Sequence, residues 1–186
     1  METQTTTSTL NKTLWTADPA HSQVQFKVKH LVISTVTGNF RKFEVSVHLD
    51  GQDWTNAEVN FSADTASIDT GQEQRDAHLR SADFFDAENH PQLTFKSTGL
   101  HKVSDDEFKV TGDLTIKGIK KEIVLDVEFG GQTTDPYGNT KAGFEISGKF
   151  KRKEFGLHWN AVTEAGSIVV GDEVKLLANI QLSRQE

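Results

Sequence analysis

The sequence predicts an all-β fold: eight antiparallel strands forming a barrel or a sandwich, with one short helix around residues 71–80. Three observations predict it. Apolar residues recur with period two along one segment after another, as on half-buried strands. Turn signals separate most of those segments at short, regular intervals. Apolar residues make up 35% of the chain and charged residues 25%, a modest apolar share that fits strands with one dry and one wet face. The length of 186 residues suits one domain or at most two small ones.

Met1 to Thr13 is polar and rich in Thr, and reads as a disordered tail ahead of a domain spanning 14–186. In the first strand Val24, Phe26, Val28 and His30 share one face, with Gln23, Gln25, Lys27 and Lys29 on the other. Phe43, Val45, Val47 and Leu49 form the second inward row, ended by a turn at Asp50 and Gly51. Ala57, Val59, Phe61 and Ala63 form the third. The helix comes next, over Gly71 to Arg80, because Thr70 followed by Glu73 matches a capping box. It puts Arg75, His78 and Leu79 on one side and sets Asp76 and Arg80 at ion-pairing i,i+4 spacing. A second short turn spans Ala82 to Ala87. Leu93, Phe95 and Ser97 form the fourth row, and Phe108, Val110, Gly112, Leu114 and Ile116 the fifth. A turn at Lys117 and Gly118 leads into Ile123, Leu125, Val127 and Phe129. The turn sequence DPYGN at Asp135 to Asn139 precedes Phe144, Ile146, Gly148 and Phe150. Val174, Leu176, Ala178, Ile180 and Leu182 come last. Eight strands is the size at which a barrel interior just fills with side chains or holds one small ligand. The small inward residues, Gly112 and Gly148 among them, fit a cavity or close interdigitation equally well.

Composition excludes several functions. A formal charge of -7, with no basic run beyond Lys149 to Lys153 (KFKRK), lacks the electrostatic footprint of a nucleic-acid binder. That run reads as a solvated strand edge. With no cysteine there is no disulfide, thiolate catalyst or cysteine zinc site. No stretch approaches the roughly 20 apolar residues of a membrane span. The N-terminus has neither a basic start nor an apolar core, so a cytoplasmic location is expected, or a periplasmic one if Met1 replaces a cleaved signal. Twelve Phe against one Tyr and one Met suit an apolar interior better than a polar recognition surface.

The segment from Arg75 to Asp86 (RDAHLRSADFFD) stands apart, because charges of both signs, a histidine and paired phenylalanines crowd together there. Asp83 and Asp86 form a carboxylate pair of the kind glycosidases use, although Asp83 is equally a cap for the following turn. His78 is expected to order the helix through Asp76 or a strand carbonyl. None of the seven histidines has metal-ligand spacing, no serine sits in a nucleophile elbow, and no glycine-rich phosphate loop precedes a helix. No catalytic residue, metal or cofactor is therefore expected.

Four segments together carry a resemblance. Asp18 to His30 (DPAHSQVQFKVKH) runs on to Ser34 to Phe40 (STVTGNF). Arg75 to Asp86 is followed by Pro91 and Leu93 to Phe95. Gly112 to Gly118 (GDLTIKG) is the third, and Arg152 to Gly156 (RKEFG), with Val170 to Val174 downstream, the fourth. In this order, over residues 14 to 183, the chain resembles the YceI-like family of polyisoprenoid-binding proteins. The resemblance implies a lipocalin-like, eight-stranded antiparallel barrel. It implies an elongated pore holding a long apolar chain, whether polyisoprenoid, isoprenoid quinone or fatty amide. By position, Val24, Phe26, Val28 and His30 would line the pore, and Phe84 and Phe85 would line or close one end. Phe61, Leu93, Phe95, Phe108, Leu114, Ile116, Ile123, Leu125, Phe144 and Ile146 match apolar positions of the same faces. Glu154 stands where the family pattern has Asp, and the secretion signal most members carry is missing.

The leading expectation is a non-catalytic carrier or sequestering protein for a long-chain isoprenoid or fatty-acid-derived lipid, with the lipid as its ligand. Head-group selection falls to His30, Arg75 or His78 at the rim. One alternative is an enzyme acting on a lipid, with His78 and a neighbouring Asp as acid and base. Another is a stress-associated structural domain with a filled core. Exposed strand edges with Trp54 or Trp159 offer a route to a homodimer.

Overall fold

The fold is seen in a computed structural model that describes residues 12–51, 53–161 and 169–185. The chain begins as a long hairpin with a break halfway along each arm. Strands β1 (Lys12–Ala17) and β2 (Gln23–His30) run in the same direction, joined by a 3₁₀ turn at Pro19–His21. Asp18 makes that turn: its carboxylate accepts from the Ala20 N–H at 3.0 Å and lies 3.0 Å from His21 Nδ1. Strands β3 (Ser34–Phe40) and β4 (Phe43–Asp50) run back alongside, with Phe26 opposite Gly38 and Trp15 opposite Val47. Each arm is thus one long stave of the wall.

Strand β5 (Glu58–Asp64) follows, and the two-residue strand β6 (Ile68–Asp69) adds to β3. Then come β7 (Gln92–Lys102), β8 (Glu107–Ile116), β9 (Ile119–Thr134), β10 (Thr140–Lys151) and β11 (Val170–Arg184). All pairings are antiparallel, and β11 closes the circle on the first stave, with Leu182 opposite Ala17 and Leu176 opposite Phe26. Two long staves with β5, β7, β8, β9, β10 and β11 give the closed eight-stranded, lipocalin-like barrel expected from the sequence.

Two features of the first half differ from expectation. Lys12 and Thr13 belong to β1, not to the tail, because both pair with the end of β4; the remainder of that tail lies outside the described residues. Strand β3 escapes a period-two reading because its inward row, Val36, Gly38 and Phe40, is interrupted by glycine. A Cβ at Gly38 would fall inside the ring of Phe26. Gly112 and Gly148 are likewise sites of interdigitation, filled by Phe95 and Leu125. Between β8 and β9, Lys117 (φ 54°) and Gly118 (φ 77°) form the two-residue turn whose double positive φ matches strand twist. At the DPYGN turn, Asp135 Oδ1 accepts from the Tyr137 and Asn139 N–H groups, each at 2.9 Å.

Helix α1 (Glu73–Arg80) sits within the expected range but lacks the capping box. Its N-cap is Gln72, without a side-chain cap, and Thr70 is committed elsewhere. The Thr70 N–H and Oγ1–H both donate to Asp76 Oδ1, at 2.8 and 2.5 Å. Arg75 in turn donates from Nε to Thr70 Oγ1 and from Nη2 to the Thr70 carbonyl, at 2.6 and 2.8 Å. Asp76 is buried by this arrangement and does not pair with Arg80, which reaches Glu73 at 2.9 Å instead.

Candidate functional site

The inward rows of the staves surround a cavity of about 670 Å³. That lies inside the 300–1,000 Å³ range of small-molecule sites and well above ordinary packing voids. Side chains therefore do not fill the interior.

One end carries an aromatic cluster. Trp54, in the turn before β5, has its ring centroid 5.1 Å from Trp15 and 5.0 Å from Phe144, with Phe129 at 6.0 Å. Trp15 Nε1, beside Trp54, is the one buried polar side-chain atom among the described residues without a hydrogen-bond partner. The other end is the mouth. Among the lining residues Lys29, His30, Gln72 and Gln74 are exposed, and they lie where β2 turns into β3 and where α1 begins. The turn between those strands carries apolar side chains into solvent, with Val32 64% and Ile33 85% exposed, and Leu31 and Val32 have positive φ.

Every residue matched to the pore by the resemblance lines this cavity. Val24, Phe26, Val28 and His30 line it from β2, and Phe61, Leu93 and Phe95 from β5 and β7. Phe108, Leu114, Ile116, Ile123, Leu125, Phe144 and Ile146 complete the wall. Phe84 and Phe85, both buried, close in beside the mouth after α1. Phe85 meets Phe40 edge-on with centroids 5.8 Å apart, and Phe40 lies 5.7 Å from Phe26, so an aromatic row runs down one wall.

At the mouth, α1 turns Arg75, His78 and Leu79 inward together, as its spacing predicts. The expected partners of His78 are replaced: Nε2 lies 2.9 Å from Asp83 Oδ2, because Asp76 is held by Thr70. The His78 ring also packs edge-on to Phe84 and Trp159, at 5.1 and 4.7 Å. Trp54 and Trp159 both line the cavity. Asp86 takes no part in a carboxylate pair facing the cavity; both its oxygens accept from Asn89 Nδ2, at 3.1 and 3.0 Å. Among the described residues no three His, Asp or Glu side chains gather as metal ligands.

The largest departure from the sequence reading is Arg152. It belongs to the basic run expected on a wet edge, yet it is 2% exposed and lines the cavity. Its guanidinium donates to the carbonyls of Gly171, Leu157, Trp159 and Val170, at 2.8, 2.6, 2.8 and 3.2 Å. Burial holds its pKa below the ordinary arginine value, and Asp172 opposes that shift. The signal available in sequence was its position at the end of the inward row Phe144, Ile146, Gly148 and Phe150, two residues past the last apolar one. Asn160 works beside it, donating from Nδ2 to the Val170 carbonyl and accepting the Val170 N–H on Oδ1. The Val169 N–H also donates to the Ala161 carbonyl, at 3.0 Å.

Comparison with known proteins places this geometry. The model of the YceI-like domain matches residues 15–182. The UPF0312 protein of Staphylococcus epidermidis is 40% identical over 167 residues, which is 89% of this chain and 95% of that one. The YCEI protein of Campylobacter jejuni superimposes with a TM-score of 0.72 at 33% identity, over 85% of this chain and 90% of that one. A polyisoprenoid binding domain from Saccharophagus degradans, at 14% identity, shares the fold with a TM-score of 0.64 over 92% and 98% of the two chains.

Proposed function

Because the chain belongs to the YceI-like domain family, we propose that it is a non-catalytic binding protein that carries or sequesters a long-chain lipid of isoprenoid or fatty-acid-derived type. The observation that supports this most is the cavity, which is lined almost wholly by apolar side chains and has aromatic rings clustered at one end. The apolar row of β11 alone, from Val174 to Leu182, runs roughly 27 Å along the strand. Each methylene buried there contributes about 0.8 kcal/mol, so ten contribute about 8 kcal/mol before the cost of ordering a flexible chain. The polyisoprenoid binding described for the Saccharophagus degradans domain agrees in kind. Native mass spectrometry of protein purified without detergent should show a bound lipid mass. Protein that is repeatedly empty, and takes up no added isoprenoid or fatty acid, would overturn the reading.

One observation favours a second reading, an enzyme acting on a lipid: the 2.9 Å contact between His78 and Asp83 beside the pore. Both side chains are well exposed, at 38% and 55%, which suits a solvated pair bracing the turn after α1 more than a sheltered acid and base. Products appearing across a panel of lipid substrates, and vanishing with His78→Ala while binding survives, would establish the enzyme instead.

A further inference from the structure

We propose that the mouth of the pore selects a lipid whose head group is an anion, a carboxylate or a phosphate, and that Arg75 is the residue that meets it. This rests on the carrier reading above and deepens it.

The chain as a whole is acidic, with 27 Asp and Glu against 20 Lys and Arg. The cavity reverses that balance. Its described lining includes Lys29, Arg75, Arg152, His30 and His78, and not one Asp or Glu. The carboxylates close to the mouth are engaged elsewhere. Asp76 faces Thr70, Asp83 faces His78, and Glu73 faces Arg80. Asp172 accepts the Lys153 N–H. Among the described residues, neither Arg75 nor Arg152 forms an ion pair with a carboxylate.

The two arginines differ in what they have left to give. A guanidinium carries five N–H donors. Arg152 gives four hydrogen bonds to carbonyls and is locked in the wall, so it contributes fixed positive charge. Arg75 gives two, both to Thr70, and the two N–H groups of its Nη1 have no partner among the described residues. Thr70, itself held by Asp76, fixes the Nε and Nη2 side of the guanidinium, so the free edge is presented with less further loss of rotamer freedom. A planar donor edge of this kind matches the two oxygens of a carboxylate or phosphate. Gln72 and Gln74 beside it are neutral and impose no repulsion on an anion.

The experiment compares equal chains with different heads on the full-length protein: hexadecanoate against hexadecanol, and geranylgeranyl phosphate against geranylgeraniol. The expected result is at least tenfold tighter binding of the anion in one or both pairs, a preference that weakens as salt is raised. Preference in the first pair alone identifies a carboxylate source, and in the second alone a phosphate source. R75Q should lower the ratio of anion to alcohol affinity about tenfold, and R75K should restore much of it. Equal or weaker binding of both anions would overturn the proposal while leaving the carrier reading intact. So would an R75Q protein of unchanged melting temperature that keeps the full ratio. Binding of none of the four would overturn the carrier reading, and this proposal with it.

Discussion

Phe84 and Phe85 follow α1 directly, and their rings reach Trp159 and Phe40, with centroids 5.4 and 5.8 Å apart. They form apolar wall beside the mouth, whereas His78 spends its polar edge on Asp83. Alanine at both phenylalanines should therefore weaken lipid retention more than alanine at His78, measured as the off-rate of a bound fluorescent lipid. The reverse order would return the Arg75 to Asp86 segment to the list of catalytic candidates. At this scale the inward rows were legible, because alternation alone decides which side chains face in. Arg152 was not. Its burial depends on the carbonyls of Leu157, Trp159, Val170 and Gly171, which lie well along the chain from it and which no local pattern encodes. The partner of His78 was left open for a related reason: Asp76 and Asp83 are both in reach by sequence, and only the placement of Thr70 decides between them.

Helix α1 is eight residues long, too short to persist without tertiary support. Its anchor is the exchange among Thr70, Asp76 and Arg75, so Thr70→Val should cost about 1–3 kcal/mol in chemical denaturation, leaving buried Asp76 short of donors. Glu73→Ala, the other half of the expected capping box, should cost less than about 0.5 kcal/mol, because its carboxylate is 84% exposed and meets only Arg80. Equal effects would mean that a capping box forms after all. The helix was legible as an element because Thr70 and Glu73 flank the point where alternation stops. Its cap was not legible, since a threonine that caps a helix and one that holds a buried aspartate look alike in sequence. The first two staves were half legible for a geometric reason. Each is split by a short break at 18–22 or 41–42, so a period-two reading catches β2 and β4 and loses β1 and β3.

Over the whole molecule, acid should act first through carboxylates held ionised by hydrogen bonds. The carboxyls of Asp18, Asp53, Asp69 and Asp135 all sit below the ordinary aspartate range. Their leading causes are hydrogen bonds: from the His21 ring, the Thr55 hydroxyl, the Gly71 N–H and the Asn139 N–H respectively. A carboxyl whose folded pKa is depressed contributes stability above its unfolded value, about 4, and loses that contribution as pH falls through the folded value. Melting temperature should thus decline as pH drops below about 4, and Asp135→Ala should flatten that decline while lowering the plateau at neutral pH. A decline unchanged in Asp135→Ala would assign acid sensitivity to other groups. The Arg152 network at the mouth has a consequence of another sort, for engineering. Its fastenings run from Arg152, Asn160 and Ala161 to residues 169–171, so both ends of the intervening segment are pinned by side chains that lie outside it. Whatever is engineered at this opening, Arg152 and Asn160 are therefore the two side chains that have to stay.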